Sequence, residues 1–324
     1  MQRRNVLRVA ALAPATVAAA GIPAAAAADP GDAADGAGHG LGHRHGRAPV
    51  VTTEADWAAV ATVLGRAGTL SGGTVYRVGF PRRDLTVTSY GVQVKPGLSL
   101  GSYAAFARYR DGRAMAMGDL VVIEAELGAV TDALHAHRLD QTAIHKHLLA
   151  HDPDVWWTHF HGVGDAVAIA RGIRAALDRT ATPPPTPPAP PPPVDLDTAG
   201  IDAAFGTPGR NDGGIYRFTF ARDETVVIHG RQAPPAMGVT TVVGFQPVGG
   251  GRAAINGDFA MTADEVQKVI VALRAGGISV VELHNHGLDD QPRLFYLHFW
   301  AVGDGVALAR ALAAAVRATD VHPV

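Results

Sequence analysis

The sequence has no cysteine at all. That rules out disulfides, thiolate metal ligands and the lipid-bearing cysteine of a lipoprotein, so any bound metal must rely on imidazole, carboxylate or backbone oxygen. Lysine is nearly missing too, occurring only at Lys95, Lys146 and Lys268, and the formal net charge is −2. A charge so near zero gives no electrostatic case for nucleic acid or an anionic membrane as partner. Catalytic signatures are also missing: there is no G-x-S-x-G, no H-E-x-x-H and no phosphate-binding loop. The letters HNH at 284–286 are adjacent, whereas the nuclease motif of that name disperses its residues through a metal finger.

Long apolar runs are scarce. The longest is near the start, where Arg3 and Arg4 precede a segment from Val6 to about Ala20, interrupted by Pro14 and ended by Gly21 and Pro23. It is shorter than the ~20 residues a membrane span needs. It reads as a twin-arginine signal peptide over residues 1–28, with cleavage after Ala28. The expected location is outside the cytoplasm, extracellular or in the cell wall or periplasm, without a stable membrane anchor. Residues 29–51, rich in Gly, Ala, Asp and His, read as a disordered spacer.

What the chain does contain is itself, twice. A proline-rich stretch at 179–194 reads as a polyproline spacer between two units, 52–178 and 195–318, with 319–324 left as a tail. "LSGGTVYRVGFPRRD" at 70–84 corresponds to "RNDGGIYRFTFARD" at 210–223, and from Asp119 and Asp258 onward the copies keep a constant offset of 139 residues. Each unit opens with a short helix and continues with alternating segments that read as strands. A helix, two more strands and a closing helix follow. In the second copy Thr262 and Glu265 have capping-box spacing, and Asp165 and Asp304 stand where they would cap the closing helices. The expected fold is α+β: two tandem copies of an antiparallel sheet packed with helices, forming a pseudo-dimer.

The residues that suggest chemistry are histidines. "VVELHNHGLDDQPRLFYLHFW" at 280–300 carries His284, His286 and His298, and the offset maps them onto His145, His147 and His159, with His161 added in the first copy. Residues two apart in a strand share a face. A hairpin centred near Pro292 pairs His286 with His298 and His284 with Trp300. One centred near Pro153 pairs His147 with His159 and His145 with His161. Directly opposed side chains have Cβ atoms ~4.5–5.5 Å apart, so each copy is expected to gather its own cluster around Zn or another transition metal. Glu282, Asp290, Asp258 and Glu265 could complete a coordination shell, although Glu265 has a competing role at its helix start. The same spacing also suits neutral, hydrogen-bonded core histidines.

The motif "GDFAMTADEVQKVIVALRAGGISVVELHNHGLDDQPRLFYLHFWAVGD", with "PPAMG" at 234–238, resembles the LppY/LpqO family of exported bacterial proteins, a resemblance spanning both units. It implies export and a duplicated architecture and carries over no catalytic residue. The lipoprotein character of the namesakes is not matched, because the cysteine is missing.

Two functional expectations follow. The first is an exported metal-binding protein with hydrolytic activity, in which Glu282 or Asp290 acts as base toward metal-bound water. The second is a non-catalytic module, either binding a small-molecule or envelope ligand through Trp156, Trp157, Tyr296 and Trp300, or serving as a structural pseudo-dimer.

Overall fold

A computed structural model describes residues 46–187 and 189–324. The expected signal peptide and most of the expected spacer, residues 29–45, lie outside the described residues.

The first copy opens with a 3-10 turn at Glu54–Trp57 and helix α1 (Ala58–Leu64). Strands β1 (Thr69–Ser71), β2 (Val75–Pro81), β3 (Val87–Ser89), β4 (Val92–Val94), β5 (Gly101–Arg108) and β6 (Ala114–Ile123) follow. Next come α2 (Glu124–Ala136), β7 (Asp140–His145), β8 (His151–Asp152), β9 (Val155–Gly164) and α3 (Ala166–Leu177). The second copy repeats the plan with α4 (Thr198–Phe205), β10 (Arg210–Asp212), β11 (Ile215–Arg222), β12 (Val227–Ile228), β13 (Arg231–Gln232), β14 (Thr240–Gly249) and β15 (Arg252–Met261). It closes with α5 (Ala263–Ala275), β16 (Ser279–His284), β17 (Phe295–Asp304), α6 (Gly305–Val316) and β18 (Val321–Pro323).

The main sheets have the same antiparallel order, β1-β2-β5-β6-β9-β7 and β10-β11-β14-β15-β17-β16. The chain is therefore α+β, two tandem repeats of a sheet packed with helices. The helix starts follow local chemistry. Asp165 and Asp304 accept from the amides of Ala168 and Ala307, each at 2.8 Å, and Thr262 and Glu265 form the capping box.

Each sheet has two buried faces. One packs on its own helices, as with Phe106, Leu120, Phe160 and Ile173 in the first copy and Phe245, Ile255, Phe299 and Leu312 in the second. The other packs on the opposite copy. Val75, Met115 and Met117 cluster with Val226, Met237 and Tyr296, while Val94, Leu98 and Trp157 cluster with Ile215, Ala254 and Trp300. The layers run helices, sheet, sheet, helices. Alternation along the strands produces this: in β9, Phe160 faces the helices while Trp157 and His159 face the other sheet.

Each copy also reaches across. Arg77 Nη1 donates to the carbonyl of Ala236 at 3.0 Å, and its counterpart Arg217 donates to the carbonyl of Gly97. Gln246 is bonded to the backbone of Gln93 and Lys95.

Three boundary expectations are corrected. Residues 46–51 are not the end of a disordered spacer: Arg47 N donates to Gly230 O at 2.9 Å and Val50 N to Arg108 O at 2.8 Å. The expected tail ends in β18, which pairs with β11. The proline-rich stretch does not hold the copies apart. Its carbonyls at Pro183, Pro184 and Pro192 accept from Arg66, Arg83 and Asn211.

Candidate functional site

Between the two sheets the histidines meet in one place. Their strands bring them there from both copies. β6 pairs with β9 so that Asp119 opposes His159, and β15 pairs with β17 so that Asp258 opposes His298. His145 and His284 end the neighbouring strands β7 and β16, and His147 and His286 follow just beyond them.

The rings meet in three pairs, two stacked and one tilted, each made of one residue from either copy. His145 lies on His284 with centroids 4.0 Å apart, His147 on His298 at 3.5 Å and His159 on His286 at 3.8 Å. The 139-residue offset maps the first pair onto itself and exchanges the other two. A pseudo-two-fold axis therefore passes between His145 and His284.

The expectation of two clusters, one in each copy, is corrected to one shared cluster. The hairpin pairing is corrected as well. His298 opposes Glu282, and His284 opposes Tyr296. In the first copy His159 opposes Ala143, and His145 opposes Trp157. The partner of His298 is displaced by four residues from the expected His286. An even displacement keeps every side chain on its face, so the histidines still point inward although their partners differ.

His161 is separate from the six. It is buried beside His229, with ring centroids 4.5 Å apart, and near Asp140. Burial, with His229 and Arg231 nearby, pushes its pKa down to about 3.

The polar surroundings of the six are sparse. The Nδ1 atoms of His159, His286 and His298 face the carbonyl oxygens of Gly118, Gly238 and Gly257 at 3.2, 3.1 and 3.0 Å. A carbonyl only accepts, so these nitrogens carry the proton. The Nε2 atoms of all six rings, and Nδ1 of His145 and His284, are buried without a hydrogen bond to protein. Such an atom costs ~1–3 kcal/mol, so eight of them rival the ~5–15 kcal/mol net stability of a domain. Asp119 Oδ2 stands 3.5 Å from His147 Nε2 and 4.0 Å from Nε2 of His145 and His159. Asp258 Oδ1 is 2.7 Å from His298 Nδ1.

Burial disfavours charge here. Together with the facing imidazoles, it pushes His145, His147 and His286 well below the ordinary histidine range, with His284 and His159 lowered in the same sense. His298 goes the other way: burial opposes its charge, but the Asp258 carboxylate outweighs it and raises the pKa. Burial raises Asp119, whereas in Asp258 the His298 pairing overcomes burial and lowers the pKa.

Glycine is required before each of these aspartates, where β6 and β15 lie against their neighbouring strands. A Cβ on Gly118 would lie 2.2 Å from Tyr103 O, and one on Gly257 only 1.9 Å from Val242 O. The repeated Gly-Asp pair was the available signal for Asp119 and Asp258 as more than turn residues. Nothing in the sequence marked the carbonyl of Gly238 or the Asn256 side chain, which donates to His147 O at 2.7 Å.

The expected bases are engaged elsewhere. Glu282 Oε2 accepts from the Lys146 amide at 2.6 Å. Asp290 is held by Arg293 at 2.9 Å and by the Leu294 amide at 2.6 Å. Glu265 binds the buried Arg222 and not a histidine. The expectation of a metal-dependent hydrolase is thereby overturned.

Comparison with known proteins supplies no hydrolase either. No curated protein matches the chain. Among solved structures, it is similar to EtuB from Clostridium kluyveri (10% identity, 79% of this chain and 94% of that one, TM-score 0.23). It is also similar to the trimeric bacterial microcompartment shell protein PduB (14% identity, 78% and 89%, TM-score 0.21). A double-ringed trimeric shell protein from the RMM microcompartment matches at 15% identity over 65% and 84%, TM-score 0.16. Likenesses this slight carry no argument about this chain's own role. The expected LppY/LpqO kinship, and the export that it implied, are corrected by the family that does match. A family model does match both copies, over residues 58–179 and 199–318. The chain belongs to the family described as Domain of Unknown Function (DUF1259), carrying its domain twice.

Proposed function

We propose that the chain is a non-catalytic structural module, a dimer-like assembly of two copies fused into one polypeptide. The observation that supports this is the second buried face of each sheet, whose apolar residues form clusters drawn from both copies. A small-molecule or envelope ligand gains no support from the aromatics expected to contact it. Trp157, Tyr296 and Trp300 are buried in the shared core, and Trp156 is half-buried with Lys146 Nζ 4.1 Å from its ring centroid.

The test is to place a protease site within the proline-rich stretch, between Thr186 and Pro187, and cut the folded protein. The two fragments should co-elute as one particle and separate only in denaturant. Fragments that separate as folded monomers after cleavage would sink the reading.

A further inference from the structure

We infer that ligands drawn from the six shared histidines and Asp119 hold a transition-metal ion between the two copies as a closed structural centre. The inference rests on the pseudo-dimer reading, because its ligands come from both copies. It differs from the hydrolytic sites expected in each copy, because the expected bases Glu282 and Asp290 are held elsewhere and water activation is no part of it.

The first support is the tautomer. Three rings present their Nδ1 protons to carbonyls, so Nε2 is the nitrogen that His159 and His286 offer as a lone pair, and His298 offers the same atom once it is neutral. A ring fixed through one nitrogen to a backbone oxygen, with the other nitrogen free, is the arrangement that metal-bound histidines usually show. The second support is convergence. Ligand atoms of His145, His284 and His298 lie within 4.8 Å of one another, as do those of His159, His284 and His286, and those of Asp119, His145 and His147. Ligands ~2.0–2.1 Å from a zinc ion necessarily stand ~3–4 Å apart, which is the spacing of Asp119 Oδ2 from the surrounding Nε2 atoms.

The third support is the kind of atom gathered. Lone pairs and a carboxylate converge where protein donors are scarce, and no hydrogen bond links the Nε2 atoms to protein. A cation satisfies several such acceptors at once. The donor set selects its class: imidazole nitrogens with one carboxylate suit Zn, Cu, Ni or Fe, whereas Ca and Mg demand oxygen. His145 and His284 are central, since they stack on each other at the pseudo-axis and take part in all three groupings between them.

The experiment uses the full chain with His39, His43 and His45 replaced by Gln, so that spacer histidines cannot contribute. It is unfolded with a chelator, refolded with Zn or Co(II), desalted, and measured for metal content, visible absorption and thermal midpoint. At least about one equivalent per chain should remain bound, with Co(II) absorption bands and a raised thermal midpoint. H145Q and H284Q should each lose the bound metal and the bands, while H161Q, outside the cluster, should keep both. Retention of metal and bands by H145Q and H284Q would overturn the assignment. So would less than about 0.2 equivalents in the parent chain with no thermal shift, a result that decides the matter even if the Gln variants fail to fold. Cleaved halves that stay together but retain no metal after refolding with it would sink this inference alone; halves that separate even when refolded with metal would sink both.

Discussion

Arg222 has 1% of its side chain exposed, and it is neutralised by Glu265 at 2.5 Å and Glu224 at 2.8 Å. The first copy repeats the arrangement with Arg82, Glu126 and Asp84. Removing one partner of a buried pair leaves the other charge stranded, which costs ~3–5 kcal/mol. Glu224 stays paired with Arg222, so we expect E265Q to lower stability in urea unfolding by less than that full amount, but by more than an exposed charge change such as D264N. Glu265 also explains part of the acid limb. Burial alone would raise its pKa, but Arg222 and the amides of Thr262 and Asp320 bring it below the usual glutamate value. A folded pKa below the unfolded one means stability that is full above the unfolded value and lost as pH falls through the folded one. Below pH 4.5, E265Q should lose stability less steeply than the parent chain; parallel curves would contradict the assignment.

At the scale of elements, the caps give a matched pair of predictions. D165A and D304A should each destabilise by ~1 kcal/mol, because each removes the same side-chain acceptor from the first turn of a closing helix. Denaturant midpoints check this, and unequal losses would mean that the copies differ in how firmly those helices dock. Helix starts, the duplication and the inward face of the histidines were legible because they depend on spacing and on period two. The register was not. Val281 is skipped in the β16–β17 pairing and Thr142 in the β7–β9 pairing, so each ladder shifts by a residue partway along, and no turn rule applied to Pro292 or Pro153 reveals that. The fusion of the clusters was illegible for a different reason. It depends on which sheet face each copy buries against the other, and a face apolar enough for a core looks the same whatever covers it.

For the whole molecule, the shared cores predict cooperativity. With Met115 and Met117 packed on Tyr296, and Trp157 packed with Trp300, neither copy can open its inner face without exposing the other's. Calorimetry of the intact chain should show one transition for both copies, and two resolved transitions would argue for independent domains. Among the described residues no helix is long and apolar enough to cross a membrane. The pseudo-axis between His145 and His284 has one more consequence. In a true homodimer any substitution appears on both sides of the axis, so a residue that suits one side only is forbidden. A fused chain escapes that rule. His161 sits beside His229, while its counterpart Trp300 fills the apolar patch around Leu98 and Trp157. Joining the copies thus gave each side its own heredity, and the interface can specialise on one flank while the paired imidazoles stay matched at the centre.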